Sequence, residues 1–145
     1  MDFDTINLDD APRLTTKFYI AGWDFEPDDI TDKLGLVPTE VWKQKREHLL
    51  SRKDIPNVSW NLGKHEERIY SVSDAVESVM DLLLPVKEKI KHVSEKPNYH
   101  VGITCSVTIY EDNPIYDLSV SAISKLSELG CEFSLDIFDY SSDEN

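Results

Sequence analysis

The chain has 145 residues, 40% of them hydrophobic and 30% charged, which is the size and composition of one folded domain with an ordinary core. Its net charge of −13 argues against nucleic acid and anionic membrane as direct ligands, since both need basic surface. No apolar run approaches the ~20 residues that cross a bilayer, and the start Met1-Asp2-Phe3-Asp4 lacks the basic lead and apolar core of a signal peptide, so the cytoplasm is the expected compartment.

Residues 1–14 are acidic and weakly patterned, and read as an extended arm. Phe18, Tyr19, Ile20 and Ala21 then form an apolar run that stops at Gly22, the length and composition of a strand. Pro27 suits the first position of a helix, where its missing N–H costs nothing. Asp28 and Asp29 fall in the first turn, at the positive end of the helix dipole. With Glu26 as the cap, Phe25 and Ile30 occupy the two positions of a hydrophobic staple. Gly35 is placed to end this helix in a left-handed conformation, with Leu36 folding back onto Ile30. Residues 43–53 follow as a charged segment that holds the one basic cluster of the sequence, read as a solvated loop.

Val58, Trp60 and Leu62 alternate with Ser59 and Asn61 as a half-buried strand, and residues 63–67 read as the turn after it. Val72, Val76, Val79, Leu83, Val86, Ile90 and Val93 recur at three- and four-residue steps, which predicts a helix over residues 73–94. Ser71 and Asp74 have the spacing of a capping box, and Pro85 should kink or split the helix near Leu84. Residues 99–110 alternate without a break. Tyr99, Val101, Ile103, Cys105, Val107 and Ile109 take one face, and the polar set from His100 to Thr108 takes the other, with Tyr110. Asp112-Asn113-Pro114 is a turn. Ala122, Ile123, Leu126 and Leu129 give a short helix stopped by Gly130. Cys131, Phe133, Leu135 and Ile137 give a last strand before a polar tail, residues 141–145. The expected fold is α+β: a largely antiparallel sheet of about four or more strands with helices packed on one face. Trp60, Val79, Leu83, Ile103, Val107, Phe133 and Leu135 are its expected shared core.

The spacing of chemistry-bearing residues argues against an enzyme. His48, His65, His92 and His100 have no ligand spacing with one another or with cysteine, so no metal is expected. Asp24, Glu26, Asp28 and Asp29 lack the order and glycine of a calcium loop. There is no phosphate-binding or dinucleotide fingerprint, and neither a cofactor nor a small-molecule substrate is indicated. Cys105 and Cys131 lie in phase with apolar neighbours and read as reduced core residues.

Three motifs carry a family resemblance: Phe18-Tyr19-Ile20-Ala21-Gly22 with Glu26-Pro27-Asp28-Asp29-Ile30, then Leu34-Gly35-Leu36-Val37-Pro38-Thr39, then Trp60-Asn61-Leu62. Together they resemble a bacterial family catalogued as domain of unknown function 4279, over roughly residues 16–140. The family is often glycine-bearing after its Pro-Thr, where this chain is charged. It supplies no catalytic residues. The chain also looks like the small acidic bacterial proteins encoded beside toxins, which implies an immunity protein whose partner is a basic toxin domain.

The charge is unevenly placed. Residues 1–32 hold nine acids against two bases and residues 110–145 nine against one, while residues 33–109 hold ten against twelve. The expected partner-binding residues are therefore Asp24, Asp28 and Asp29 near the first helix, and Glu132, Asp136 and Asp139 on the last strand. A non-enzymatic regulatory or interaction module, docking through the polar sheet face or an edge, is the alternative.

Overall fold

The structure, a computed structural model, describes residues 9–44 and 55–141, the side chains of 64–66 excepted. Strand β1 (Arg13–Gly22) is its centre, and its even members Leu14, Thr16, Phe18 and Ile20 are buried on one face. Part of the expected arm is thus strand, and the rest of its described length is held as well. The Arg68 guanidinium donates to the carbonyls of Ala11, at 3.0 Å, and of Asp9. The charged segment beyond Gln44, including residues 45–53, lies outside the described residues, as do 1–8 and 142–145.

Helix α1 (Pro27–Leu34) follows the local signals closely. Glu26 is its extended N-cap, but the Glu26 side chain makes no cap bond and instead pairs with Lys43. Phe25 and Ile30 are both buried, as a staple requires. Gly35 has φ 69° and donates to the Thr31 carbonyl at 2.8 Å, the left-handed closure that the sequence predicts. A Cβ at Gly35 would meet nothing within 4 Å, so the cost of a substitution there is a backbone cost alone. Gly35→Val is expected to lower stability by more than about 1 kcal/mol, measured by urea unfolding, because a β-branched residue takes this conformation only with strain.

The five strands lie in the order β2-β3-β1-β4-β5, with β2 (Glu40–Lys43), β3 (Val58–Arg68), β4 (Tyr99–Ile109) and β5 (Glu132–Asp139). Every neighbouring pair is antiparallel except β4 with β5. The fold is the expected α+β sheet with helices against one face. β2 is an added edge strand whose four residues are all exposed.

The expected turn at residues 63–67 is a correction: β3 continues to Arg68. Thr16 pairs with His65 and Phe18 with Leu62, so Gly63 and Lys64 together oppose Lys17 alone. Gly63 has φ 74°, the signature of a bulge that starts on a left-handed glycine. The alternation changes phase there, which is why it looks like a strand end.

Helix α2 (Val72–Leu83) begins on Ser71, whose hydroxyl accepts from the Asp74 N–H at 3.0 Å. Pro85 splits the long helix as expected. A single 3₁₀ turn, Leu84–Val86, separates α2 from α3 (Lys87–Ser94). Helix α4 (Val120–Leu129) is capped by the Ser119 hydroxyl and ends at Gly130. It is tied to α2 by Lys125, whose Nζ lies 3.0 Å from Asp81 and 3.3 Å from Glu77.

The core lies between the sheet and α1 to α4. Trp60 is fully buried, meets Phe18 edge-on at 6.2 Å between centroids, and donates its indole N–H to Thr31 at 3.0 Å. Val79, Leu83, Ile103 and Val107 share that core. Phe133 is only partly buried against it, and Leu135 is 37% exposed, which corrects its assignment to the core. The reason is position. The helices stack over β1, β3 and β4, and β5 is the last strand, with little above it.

Candidate functional site

β5 is built by alternation, and its register against β4 fixes what each side chain faces. Glu132 pairs with Gly102, Asp136 with Ser106 and Asp139 with Ile109. Partners across a sheet share a face, so Glu132, Ser134, Asp136 and Phe138 lie on the uncovered face. Phe133, Leu135, Ile137 and Asp139 lie on the helix side. The acids expected as one set on the last strand are therefore divided, two on the open face and one behind it. Apolar side chains stand exposed between and just beyond them: Ile137 at 51%, Phe138 at 50% and, after Asp139, Tyr140 at 69%.

Glu132 sits in a small polar and aromatic cluster at the start of β5. Its carboxylate accepts from the Tyr19 hydroxyl at 3.4 Å and lies 3.6 Å from His100 Nδ1. His100 in turn meets Trp23 edge-on at 5.4 Å. Tyr19 lies across Gly102, where a Cβ would collide with its hydroxyl end. Burial, with the Glu132 charge adding to it, pushes the Tyr19 phenol above its ordinary value. The indole N–H of Trp23 is buried without a partner among the described residues.

Asp139 has a different setting. The Ser141 hydroxyl and amide hold its carboxyl below the usual range, the amide bond measuring 2.8 Å. Asp136 is exposed on the open face. Near the first helix, Asp28 and Asp29 are exposed in the first turn. Asp24 carries a structural load that its sequence position hides. Its φ is 56°, its N–H donates to Asn57 Oδ1 at 2.9 Å, and its carboxylate accepts from Asn57 Nδ2 at 2.9 Å. Asn57 also donates to the Gln44 carbonyl at 3.0 Å. The sequence reading missed Asn57, whose partners are 13 and 33 residues away.

The open face also carries a depression of about 190 Å³ lined by Thr15, Lys17, Thr39, Glu40, Asn61 and Ser106. That is smaller than the several hundred Å³ that ordinarily hold a drug-sized ligand. Among the described residues, no group of three or more His, Cys, Asp or Glu side chains is arranged to hold a metal ion.

Both cysteines are free. Burial pushes Cys105 up to about 11, and burial with the Glu132 charge pushes Cys131 up to about 12. The thiolate is the reactive form, so alkylation of the native protein is expected to be slow at pH 8 and to keep rising with pH beyond pH 10. In the urea-unfolded chain it should level off near the ordinary thiol value of about 8.5. The folded values are raised, so the stability linked to these thiols is full below about pH 8.5 and is lost as pH rises toward 11 and 12. Native alkylation that levels off below pH 9 would show the thiols to be open.

No curated protein and no solved structure matches the chain. The model of the family described as Domain of unknown function (DUF4279) matches residues 12–140, which spans the five strands and four α-helices of the described residues, and the chain belongs to that family.

Proposed function

We propose that this protein is a bacterial, cytoplasmic immunity protein that binds a basic toxin domain and neutralises it through an acidic surface. The observation that carries the reading is β5: an exposed edge strand with Glu132 and Asp136 on its open face, Asp139 behind them, and half-exposed apolar side chains along its length. Carboxylates steer a basic partner, and the apolar side chains between them give it area to bury. The rest of the acidic C-terminal segment does not weaken this field, because Lys125, its one base, is drawn to Asp81 and Glu77. Asp28 and Asp29 belong to a second acidic patch, whereas Asp24 is engaged by Asn57 and is better kept out of the interface.

The test uses the protein encoded immediately upstream, expressed in a bacterial host with and without this chain. Arrested growth that this chain relieves, and that Asp136→Lys with Asp139→Lys relieves poorly, is the expected result. With purified components, the double reversal should slow association and weaken its dependence on salt. A neighbour whose harm persists in the presence of this chain would remove the immunity reading.

A further inference from the structure

We infer that the partner is held as a sixth strand: an extended protein segment of alternating basic and apolar residues, paired with the open edge of β5. This rests on the reading of β5 as the docking strand and adds the mode and chemistry of what docks.

Backbone direction is the first observation. The Tyr140 N–H donates to the Ile109 carbonyl of β4 at 2.8 Å. Backbone groups in a strand turn to opposite edges residue by residue. Phe138, Asp136 and Ser134 therefore turn their N–H and C=O toward β4. Ile137, Leu135 and Phe133 turn theirs away from it, to the edge where no described strand lies.

The second observation is the contrast between the two edges of the sheet. β2 is blunted as edges usually are, being four residues long and ending on a lysine. β5 has none of these defences. It runs eight residues without proline, glycine or lysine, and its register with β4 is unbroken from Glu132 to Asp139.

Charge chooses the occupant. Two copies of β5 paired edge to edge would gather the Glu132 and Asp136 carboxylates of both chains on one open face. Like charges across strands repel. A basic segment removes that cost. Side chains at one register position share a face, so its apolar members would meet Leu135 and Ile137 on the helix side. Its Lys or Arg members would meet Glu132 and Asp136 on the open side.

The test is amide hydrogen exchange, read residue by residue on the full chain, with a capped octapeptide of alternating Lys and Val as the probe. In the free protein the Ser134 and Asp136 amides should exchange slowly and those of Leu135 and Ile137 fast. Saturating peptide should slow Leu135 and Ile137 at least tenfold, and an alternating Glu and Val peptide should not. Ile137→Pro removes an outward N–H and no bond to β4, a place where an edge tolerates proline. It should weaken the peptide at least tenfold while circular dichroism stays unchanged. If that variant does not fold, a peptide N-methylated on alternate residues, tested on the unaltered protein, should bind at least tenfold more weakly. Binding that Asp136→Lys abolishes and Ile137→Pro leaves intact would overturn strand addition and keep the acidic docking surface. Binding that neither changes would remove both. Outward amides that are protected without peptide would also overturn the proposal: at high protein concentration only, the occupant is a second copy, and at every dilution the chain covers its own edge.

Discussion

Leu83→Ala is expected to lower stability by about 2–5 kcal/mol, read from urea unfolding. Leu83 is fully buried and is the last residue of α2, directly before the 3₁₀ turn around Pro85. The lost transfer free energy is only part of the cost. Val79 and Met80 of α2 and Ile90 of α3 belong to the same core cluster, all fully or almost fully buried. The packed surroundings relax only in part, so a cavity term is added to it. A domain of this kind has about 5–15 kcal/mol in total, so this one truncation should move the midpoint visibly. A loss below about 0.5 kcal/mol would mean that the helix presents a different face to the sheet.

Asn57→Ala is expected to cost about 2–4 kcal/mol, although it lies outside every regular element. Its side chain joins Asp24 to Gln44, and its N–H donates to the Gly22 carbonyl at 3.0 Å. Alanine keeps the last bond and loses the others. It leaves the Asp24 N–H and the Gln44 carbonyl to find water. It also leaves Asp24 in a left-handed conformation that its bonds to Asn57 help to hold. Asn57→Asp is the sharper variant, since it sets a carboxylate against the Asp24 carboxylate. Its penalty should be larger at pH 7 than at pH 3, because protonation near the usual aspartate value of about 3.9 relieves the repulsion. Urea midpoints at the two pH values decide it. Equal penalties would mean that Asp24 does not face residue 57.

What the sequence could tell followed from how far each signal reaches along the chain. Pro27, Gly35, Ser71, Pro85 and Gly130 act within one helical turn, and each does what its position predicts. The unbroken alternation of β4 is equally local. β2 gave no signal because all four of its residues are exposed, so no apolar period marks it. Leu135 departs from the expected core because alternation tells which way a side chain points and not whether anything lies above it. Charge alone singles out Glu132 in the sequence, but its neighbours Tyr19 and His100 come from β1 and β4, and no spacing along the chain announces them. Charge singles out Asp24 too, and its tie to Asn57 is a long-range bond of the same kind. A toxin as the partner is a proposal that rests on charge and resemblance, and growth rescue and association kinetics test it.

The bulge in β3 has a consequence for which changes of chain length this fold can absorb. Leu62 and Arg68 are an even number of positions apart, yet Leu62 packs on the core while Arg68 stacks on Tyr110 at 4.5 Å and holds the N-terminal residues. Only the surplus residue between them allows this. Deleting Lys64 would leave Gly63 alone opposite Lys17 and the Thr16–His65 pairing in place, with both faces preserved. Deleting one residue between Val58 and Leu62 would instead push the strand out of phase and send Trp60 or its neighbours to the wrong side. The strand thus has one position where its length is negotiable, and it lies where the backbone already leaves its regular path.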